Sequence, residues 1–476
     1  MPARHPHVAV LGAGVCGLAA AWELLRSGTA ERVTLLEAED RPGGLARSVY
    51  DPSGLQSDLG PHRIHTELPE IEALLGDLVG PEMVWVERRS AMHVEGRFVP
   101  YPLGIGSVVS LFGPVEFLRM GLSAAWAKAR GIWSPAPANF EEHMIRAFGH
   151  RVYGRILRPY SAKVWKLDPR EISVKAAEVR VSAGSMGKLA RRLLARGRER
   201  RGEETALREF RYIQGGVEAL VRRLAEKVTG AGGVILCNHP VERLTLEGSS
   251  RWLVQHCQGQ FESSAVIATI PVTHLSRMLC GDDRARPPET AVEALRFLSI
   301  DLVFVKIRRP RVSENHWLYF PDESIIFNRG YEPSRFWAGP GKPTGSTLLC
   351  LEITARPDTP MHGIAEADLA AQVEADLLRT GLVRREEIEK SFVVRLPFGY
   401  PLYDCHADGH LRTVFDHLRA WPNLVTTGRQ GLFSHNNMDH SMFMGLEAAR
   451  ALARGPEGAA AWYGRADALR HFRIVD

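Results

Sequence analysis

The fold is decided by the stretch HVAVLGAGVCGLAAAWELLR, residues His7–Arg26. Its first residues form a short apolar run, which is typical of a buried parallel strand. Three glycines follow in Gly12-Ala-Gly14-Val-Cys-Gly17, and apolar residues at helical spacing continue to Arg26. A strand that turns through such glycines directly into a helix predicts the first half of a dinucleotide-binding βαβ unit.

Each glycine has a physical reason in such a unit. Gly12 permits the tight turn, Gly14 lets the backbone approach a pyrophosphate, and Gly17 lets the helix pack closely against the strand. The phosphates would lie at the positive N-terminal end of the helix, where Cys16 is also predicted to contact the nucleotide. A second apolar run ends in Glu37, twenty residues after Gly17, and a carboxylate there can accept hydrogen bonds from ribose hydroxyls.

The continuation of this unit distinguishes FAD from NAD. The segment EAEDRPGGLA, residues Glu37–Ala46, resembles the extended fingerprint of the superfamily that contains amine oxidases, protoporphyrinogen oxidases and UDP-galactopyranose mutases. In that superfamily the second glycine pair runs beside the FAD pyrophosphate and ribityl chain, with the arginine close by. The resemblance implies that FAD is the cofactor, and it adds to the predicted site Ala38, Arg41, Gly43, Gly44 and Leu45.

The resemblance continues later in the chain. Residues Gln214–Leu220 open an amphipathic helix expected to run to Lys227, and the segment looks like the family's return to the FAD domain, with Val241 beside the adenine. Asn423–Thr427 is predicted to be a strand, followed by a turn and a helix from about Asp439 to Arg454. That helix would point its positive N-terminus at the flavin, where it can stabilise negative charge. The strands predicted after Lys227 are Val234–Cys237, Val241–Leu246, Trp252–His256 and Ala265–Ile270.

The predicted fold class is α/β: a discontinuous Rossmann-like FAD-binding domain with an inserted α+β substrate domain. The substrate domain is expected to come from two insertions, the second of which contains the apolar runs Leu302–Ile307 and Thr347–Ile353. In chain order the predicted limits are 1–100 for the first FAD-binding part, 101–205 for a helical insertion, 206–290 for the second FAD-binding part, 291–400 for a β-rich substrate domain and 401–476 for the third FAD-binding part.

Composition excludes several other classes of protein. The formal net charge of +5 over 476 residues lacks the dense basic stripe of a nucleic-acid-binding protein, although it mildly favours anionic ligands. Six scattered cysteines show neither disulfide nor metal-ligand spacing, so we expect free thiols, no metal site and a cytoplasmic location. The chain passes almost directly into a strand and has no apolar run of about 18 residues, so we expect neither a signal peptide nor a membrane span.

Two segments of the helical insertion allow a second interpretation. Lys188–Arg211 favours a solvated helix and loop, but its arginines also suit docking to an anionic membrane surface or partner. Val108–Trp133 mixes apolar and charged residues at helical spacing, which favours core-packing helices over a membrane anchor. The arginines of the first segment include Arg191, Arg192, Arg196, Arg198, Arg200 and Arg201.

The loop Gly60-Pro-His62-Arg-Ile-His65-Thr66 is the most informative short motif after the glycines. It resembles the GPHxFHT loop of UDP-galactopyranose mutases, which lies against the flavin. An imidazole there can form a hydrogen bond or move a proton near neutral pH, so His62 and His65 are predicted to be catalytic. The alternative for either histidine is a place in a surface loop without a role.

Two further segments resemble the mutases less closely. Tyr160–Trp165 is followed by Arg180, whose counterpart in the mutases contacts the substrate diphosphate, and a guanidinium suits that role because it binds phosphate oxygens in bidentate fashion. The residues around Arg180 lack the usual leucine-proline context, and surface pairing is its alternative role. Tyr400 is predicted to supply an aromatic wall to the substrate pocket, with a place in the hydrophobic core as the alternative.

The C-terminal block GRQGLFSHNNMD, residues Gly428–Asp439, aligns with the mutase motif GRxGxYxYxDMD. It keeps the cofactor half of the motif and alters the substrate half. Phe433 and His435 stand where the mutases have tyrosines that hold the diphosphate, and Asn437 replaces an aspartate. The predicted roles are cofactor binding for Gly428, Arg429, Met438 and Asp439, catalysis for His435, and substrate binding for Phe433 and Asn437 together with Arg180 and Tyr400.

Three functions are compatible with these motifs. The favoured one is an FAD-dependent oxidoreductase that removes hydride from a C–H bond of a small substrate, such as a sugar, a specialised metabolite or an anionic molecule. The second is a redox-neutral mutase-like enzyme that acts on a nucleotide-linked sugar with reduced flavin as nucleophile, and the missing tyrosines count against it. The third is a non-catalytic FAD-binding protein. The motifs leave the substrate, the electron acceptor and the oligomeric state open.

Overall fold

The computed structural model describes residues 3–176, 209–280, 287–336, 345–470 and 472. In chain order the strands of these residues are β1 Val8–Leu11, β2 Val33–Leu36, β3 Ser48–Tyr50, β4 Gln56–Asp58, β5 Met83–Glu87, β6 Ser90–Val94, β7 Arg97–Pro100, β8 Glu209–Ile213, β9 Val234–Leu236, β10 Val241–Glu247, β11 Arg251–His256, β12 Gly259–Ser263, β13 Ala265–Ala268, β14 Leu279–Cys280, β15 Phe297–Ile307, β16 Trp317–Tyr319, β17 Arg329–Tyr331, β18 Thr347–Ala355, β19 Ile388–Pro401 and β20 Leu424–Thr426. The α-helices of the same residues are α1 Val15–Arg26, α2 Pro69–Val79, α3 Ile105–Gly131, α4 Phe140–Val152, α5 Arg158–Trp165, α6 Glu218–Gly230, α7 Val272–Met278, α8 Glu289–Ala294, α9 Glu366–Arg379, α10 Ala407–Arg419, α11 Gly428–Gly431, α12 Met438–Leu452 and α13 Gly455–Leu469.

A parallel sheet in the order β20-β13-β1-β2-β9 contains the predicted βαβ unit. Every residue of β1 and β13 is buried, as expected for apolar central strands that are covered on both faces. The sheet takes strands from the beginning, the middle and the end of the chain. This arrangement confirms the predicted discontinuous α/β fold.

Helix α1 is closely packed on two sides. A Cβ at Gly17 would overlap the carbonyl oxygen of Gly12, so the helix meets the glycine turn as closely as the motif predicts. On another side, a Cβ at Gly445 of α12 would overlap the carbonyl oxygen of Cys16. Two glycines therefore seat α1 between the turn that follows β1 and a helix from the end of the chain.

The second large layer is a sheet in the order β19-β15-β18-β17-β16-β6-β7. Helix α9 covers one of its faces, where Leu349 and Leu369 share a core. The opposite face carries Tyr331 and shares a core with Leu59 and Tyr212, which belong to the segments around the parallel sheet. Strands β6 and β7 join this layer, so the sheet extends across the predicted boundary at residue 100, and the domain limits themselves stay predictions.

Helix α3 shows that the core-packing interpretation of Val108–Trp133 is wrong for much of the segment. One face of α3 packs on α4, where a Cβ at Gly149 would be 2.6 Å from the backbone nitrogen of Ala124. The opposite face is exposed, because helical spacing marks an apolar side without saying what covers it. Among the described residues α3 alone is long and apolar enough to cross a membrane, but it is broken at Gly113, whose φ is 82°.

The arginine-rich segment Lys188–Arg211 lies outside the described residues except for its last three positions. Of these, Arg211 forms an ion pair with Glu72 at 2.5 Å. Whether the remainder binds a membrane surface or a partner stays a prediction.

The carboxylate of Asp58 joins several parts of the fold. It accepts hydrogen bonds from the hydroxyl of Ser48 at 2.5 Å, from the hydroxyl of Tyr212, and from the backbone N–H of Val217 at 3.0 Å. The Tyr331 hydroxyl of the seven-stranded sheet donates to the backbone carbonyl of Asp58 at 2.6 Å. Burial raises the pKa of Asp58 to about 6, although the three donors oppose the rise. This residue therefore connects the β3–β4 hairpin, β8, the start of α6 and the second layer.

We expect Asp58→Asn to lower the free energy of unfolding by about 1–3 kcal/mol. The amide would turn a donor toward groups that are themselves donors, and a buried hydroxyl or N–H would lose its partner. Asp77→Asn is the matched control, because Asp77 forms an exposed ion pair with Lys227 at 2.7 Å and such pairs contribute little. Urea unfolding followed by tryptophan fluorescence measures both variants, and equal stability of Asp58→Asn and the wild type would contradict the expectation.

Candidate active site

The two predicted glycine segments meet in front of α1. The backbone N–H of Gly43 donates to the carbonyl of Ala13 at 2.9 Å, and Gly14 pairs with Gly43 in a parallel bridge. Gly12, Gly43 and Gly44 have φ values of 95°, 130° and 57°, in the region that glycine adopts most readily. The segments therefore form one continuous backbone surface at the N-terminus of the helix.

Gly14 differs from its neighbours because nothing in the described part of the protein requires glycine there. Its φ of −70° and ψ of 174° suit any residue, and a Cβ would lie no closer than 3.9 Å to Gly43 and Gly44. The free space beside its Cα lies at the positive end of α1, where an anion is favoured. Gly14 thus leaves a cradle that a side chain would fill.

Glu37 lies at the end of β2 beside this cradle. Its buried carboxylate accepts hydrogen bonds from the backbone N–H groups of Ala13, at 2.8 Å, and Glu39, at 3.1 Å. The backbone N–H of His239 donates to the carbonyl of Glu37 at 2.8 Å, which brings the half-buried Val241 and its strand to the same edge. Glu37 braces the glycine turn and keeps further lone pairs for the predicted ribose contact.

Three other predicted cofactor residues follow in the same segment. Ala38 is exposed. Arg41 donates to the carbonyl of Ser48 at 2.7 Å and pairs with Glu218 at 3.5 Å, so its guanidinium braces the β3–β4 hairpin. Leu45 packs against the core that the two layers share. Their contacts with the cofactor stay predictions.

The C-terminal segment reaches the start of α1. A Cβ at Gly428 would be 2.9 Å from Sγ of Cys16, and the thiol of Cys16 contacts the hydroxyl of Thr427. Burial raises the pKa of Cys16 to about 12, so this thiol stays protonated and packs rather than reacts. Predicted cofactor residues from the two ends of the chain are thus side by side.

His62 is neutral at physiological pH. Burial lowers its pKa to about 4, and the positive charges of Arg429 and Arg329 act in the same direction. Its Nδ1 atom is buried and has no hydrogen-bond partner among the residues that the structure describes. These features suit a hydrogen bond to a ligand, and the predicted catalytic role of His62 stays a prediction.

His65 lies close to the N-terminus of α12. Burial raises the pKa of Asp439 to about 6, against the Thr66 hydroxyl that hydrogen-bonds to its carboxylate and the nearby His65. Burial also lowers the pKa of His440 to about 4. The Nε2 atom of His65 is buried and lacks a hydrogen-bond partner within the described part of the chain. The loop Gly60–Thr66, which we call the histidine loop, and the start of α12 therefore converge on one place.

Asn437 and Met438 form the start of α12. The side chain of Asn437 accepts a hydrogen bond from the third backbone N–H of the helix. The backbone N–H of Asn437 donates to Nδ1 of His440 at 3.4 Å. Met438 is half-buried against the main core. Asn437 has a capping role, and its contact with a substrate stays a prediction.

Tyr400 and His435 form a stacked pair, with ring centroids 4.6 Å apart and planes 7° from parallel. The guanidinium of Arg429 lies 5.7 Å from the Tyr400 ring centroid and donates to the carbonyl of Asn436. The backbone N–H of His435 donates to the Tyr403 hydroxyl at 2.6 Å. Tyr400 therefore belongs to a cluster with two predicted site residues, as well as contacting the core.

Phe433 is not exposed beside Tyr400, His435 and Arg429, contrary to its predicted contact with substrate. Its side chain is fully buried, and its ring packs edge-on against Phe297 at 5.0 Å and Tyr403 at 5.9 Å. A φ of 48° turns the backbone here, which the linear motif could not show. Arg180, which was also predicted to bind substrate, lies outside the described residues.

The other wall of the site is a face of the seven-stranded sheet. Arg329 forms a bidentate ion pair with Glu352, in which Nη2 donates to Oε1 at 2.8 Å and Nε donates to Oε2 at 3.0 Å. On the next strand the ring centroid of Tyr319 lies 4.7 Å from that of Tyr101 and 6.1 Å from that of Tyr160. The charge of Arg329 acts on the pKa of His62, so this wall faces the histidine loop.

Sequence reasoning omitted Arg329 and Glu352. A signal was available in β18, where Glu352 is the one charged residue of TLLCLEITA and every residue is buried. A carboxylate in such a strand needs a cationic partner. That partner lies on a neighbouring strand, so no local pattern identifies it.

The glycine cradle, the acid at the end of β2 and the returning C-terminal helix point to one family. A sequence model of the family described as "Flavin containing amine oxidoreductase" matches residues 15–453. The chain belongs to this family. It is therefore an FAD-dependent enzyme, as the sequence predicted.

Similarities to individual proteins of known name or structure agree with this family membership. The chain is similar to protoporphyrinogen oxidase of Bos taurus, with 26% identity over 371 residues that cover 72% of this chain and 76% of the relative. Its fold matches the crystal structure of reduced UDP-galactopyranose mutase with a TM-score of 0.82, 24% identity and 98% of both chains covered. It also matches putrescine oxidase bound to putrescine with a TM-score of 0.63, 18% identity, and coverage of 94% of this chain and 98% of the other. The superfamily inferred from the motifs is confirmed.

The described residues of this flavin containing amine oxidoreductase fit FAD. Gly14 leaves space where a pyrophosphate would lie, and Glu37 offers lone pairs where a ribose would lie. His62 and His65 present buried ring nitrogens that lack partners among the described residues, in front of the N-terminus of α12. When bound, FAD supplies hydride acceptance and donation, and the protein supplies binding, orientation and electrostatics.

We expect Gly14→Val to fold and to lose the cofactor, because its Cβ would lie no closer than 3.9 Å to Gly43 and Gly44 while the side chain occupies the space for the pyrophosphate. The FAD content, measured by the ratio of flavin to protein absorbance, should fall at least about tenfold from the wild-type value of about one FAD per chain. Gly76→Val is the control, since nothing lies within 4 Å of a Cβ at that exposed position of α2. A Gly14→Val protein that stays yellow at full occupancy would refute the assignment of the cradle.

We expect His62→Gln to leave the pH dependence of the flavin absorbance spectrum unchanged between about pH 6 and pH 9, because His62 is already neutral above its pKa of about 4. His62→Ala should shift the spectrum at every pH in that range, because it removes the hydrogen-bonding group. Spectrophotometric titration of both variants, with His65→Gln for comparison, measures this. The disappearance of a titration step near neutral pH in His62→Gln alone would contradict the structure.

Proposed function

We propose that this enzyme is an oxidoreductase that transfers a hydride from a C–H bond of a small substrate to FAD. The observation that carries the proposal is the burial of Phe433 in the core. Mutases of the resembling group hold a doubly charged diphosphate with tyrosine hydroxyls at the positions of Phe433 and His435. Here the first position has no hydroxyl and points into the protein, and the second is an imidazole stacked on Tyr400.

The remaining cations support the same choice. Arg429 donates to the carbonyls of Asn436 and, at 3.5 Å, Gly399. Arg329 is neutralised by Glu352. A diphosphate oxygen that is left without its donor in a closed site costs about 1–3 kcal/mol. The described residues therefore favour a substrate of lower charge than a nucleotide sugar.

Aromatic side chains supply much of the wall that faces His62. Tyr319 and Tyr400 offer rings and hydroxyls, and the guanidinium of Arg63 lies 6.0 Å from the Trp317 ring centroid on the same face of the sheet. This combination supports a small, partly apolar substrate that carries an anionic or hydroxyl group. His62 would hold such a group with a hydrogen bond, because its neutral ring, whose pKa burial lowers to about 4, keeps one N–H donor and one acceptor nitrogen.

Asp439 gives the site a group whose charge changes near neutrality. With a pKa of about 6, its carboxyl is neutral at lower pH and ionised at higher pH. When ionised, it offsets the positive N-terminal end of α12, and when neutral it leaves that end available to stabilise negative charge. The start of α12 would thus stabilise negative charge at the flavin, as the motif suggested, and it would do so more strongly when Asp439 is neutral than when it is ionised.

The similar protein of Bos taurus is named as a protoporphyrinogen oxidase, which supports net oxidation. One observation favours the alternative, a redox-neutral mutase-like enzyme: the chain matches the mutase motif at Arg429, Met438 and Asp439. These residues lie on the cofactor side of the motif, so they distinguish the two activities less well than Phe433 and His435.

We expect dithionite-reduced enzyme to leave UDP-galactofuranose unconverted when the sugar is followed by chromatography. Conversion at about 1 per second or faster would make the protein a mutase despite its altered tyrosine positions. In a second arm, oxidised enzyme is mixed without oxygen with a panel of protoporphyrinogen, amines and sugars, and loss of the visible flavin band reports hydride transfer. Flavin that no compound reduces, together with no mutase activity, would favour a non-catalytic FAD-binding protein.

A further inference from the structure

The surface of α3 is apolar where a soluble helix is normally polar. Beyond the break at Gly113, large apolar side chains recur every three or four residues and project into solvent. We call this set the apolar stripe: Val115 (63% exposed), Leu118 (63%), Leu122 (64%), Trp126 (68%) and Trp133 (89%), the last just beyond the end of the helix.

The stripe lies opposite the face that holds α3 on the protein. Met120, Ala124, Ala127 and Gly131 are buried, and on a helix of 3.6 residues per turn they fall on the side away from Leu118, Leu122 and Trp126. The buried side is locked by the close approach of Gly149 to the backbone of Ala124. The helix therefore lies along the surface of the protein with one side permanently covered. Because of this and the break at Gly113, it is suited to lie on a membrane rather than to cross one.

The charges beside the stripe are positive. On the helix wheel Arg119 and Arg130 border one side of it, Lys128 borders the other, and all three are exposed. Glu116 is the single acid in the sequence of α3, and its carboxylate is engaged by Arg151 at 2.7 Å. Long cationic side chains beside an apolar face can bury their stems and keep their charges at lipid head groups.

We propose that the apolar stripe docks the protein on an anionic lipid bilayer, with α3 in the plane of the interface. Leu118 and Leu122 enter the boundary of the acyl chains, and Trp126 and Trp133 lie at the level of the head groups, where tryptophan is enriched. Arg119, Lys128 and Arg130 face the anionic head groups. A second copy of the chain is a poorer occupant, because two such stripes would bring cations against cations with no exposed acid on either α3.

Flotation with lipid vesicles tests this on the full-length holoenzyme. We expect binding to vesicles that contain about 30% phosphatidylglycerol, weak binding to pure phosphatidylcholine, and loss of binding at high salt. The variant L118Q/L122Q/W126Q should bind at least about tenfold less, because it removes the apolar contribution. The variant R119Q/K128Q/R130Q should lose the preference for anionic lipid.

Trp85→Gln is the matched control, since Trp85 is 66% exposed on β5, outside the stripe. It should bind vesicles as the wild type does, and flavin content and melting temperature should be unchanged in every variant because all replaced side chains are exposed. The proposal is overturned if the wild type ignores anionic vesicles, or if L118Q/L122Q/W126Q binds them equally well. It is also overturned if sedimentation shows a dimer that the same variant dissociates, since the stripe would then be an interface between two copies.

Discussion

Helix α1 can present its N-terminus to a nucleotide because other parts of the protein approach it more closely than side chains would allow. Gly17 lets the helix contact the turn after β1, and Gly445 lets α12 contact the backbone of Cys16 in its first turn. The cradle at Gly14, the contact of Gly428 with Cys16 and the position of Asp439 all depend on that approach. A side chain at Gly17 or Gly445 would therefore displace the cofactor residues of both chain ends together.

The sequence analysis succeeded where the chemistry is local. Strand β1, the glycine turn, α1 and Glu37 follow one another within a short stretch, and each has a physical reason that can be stated for that stretch alone. The same holds for α12, whose start was expected at Asp439 and lies at Met438. These elements are defined by contacts between near neighbours, so linear patterns identify them well.

Elements that depend on distant contacts were harder to predict. The partner of Glu352 lies on another strand, and the inward turn of Phe433 depends on its packing against Phe297. For Val108–Trp133 the pattern identified a helix with an apolar side, but it could not show that this side is exposed among the residues that the structure describes. In each case the residue type was informative, and its surroundings came from a part of the chain that no local pattern includes.

The site is divided between two sheets with different tasks. Residues of the parallel sheet and its loops would provide the cofactor surface, and Arg329, Tyr319 and Tyr400 belong to the facing seven-stranded sheet. The family model matches residues of both groups, and under the proposed function the second group would select the substrate. This separation explains how oxidases and a mutase can share a fold while differing in the molecules that they bind.

The order of strands in the parallel sheet also has a consequence for how the protein is made. Val8 of β1 pairs with Val33 on one side and with Ala265 on the other. During synthesis one edge of the first strand therefore stays open until more than half of the chain has emerged, and open strand edges are prone to aggregate. Helix α1 waits longer still, for Gly445. Among the described helices α1 is the first in chain order, yet it can reach its final packing only after Gly445 has been synthesised.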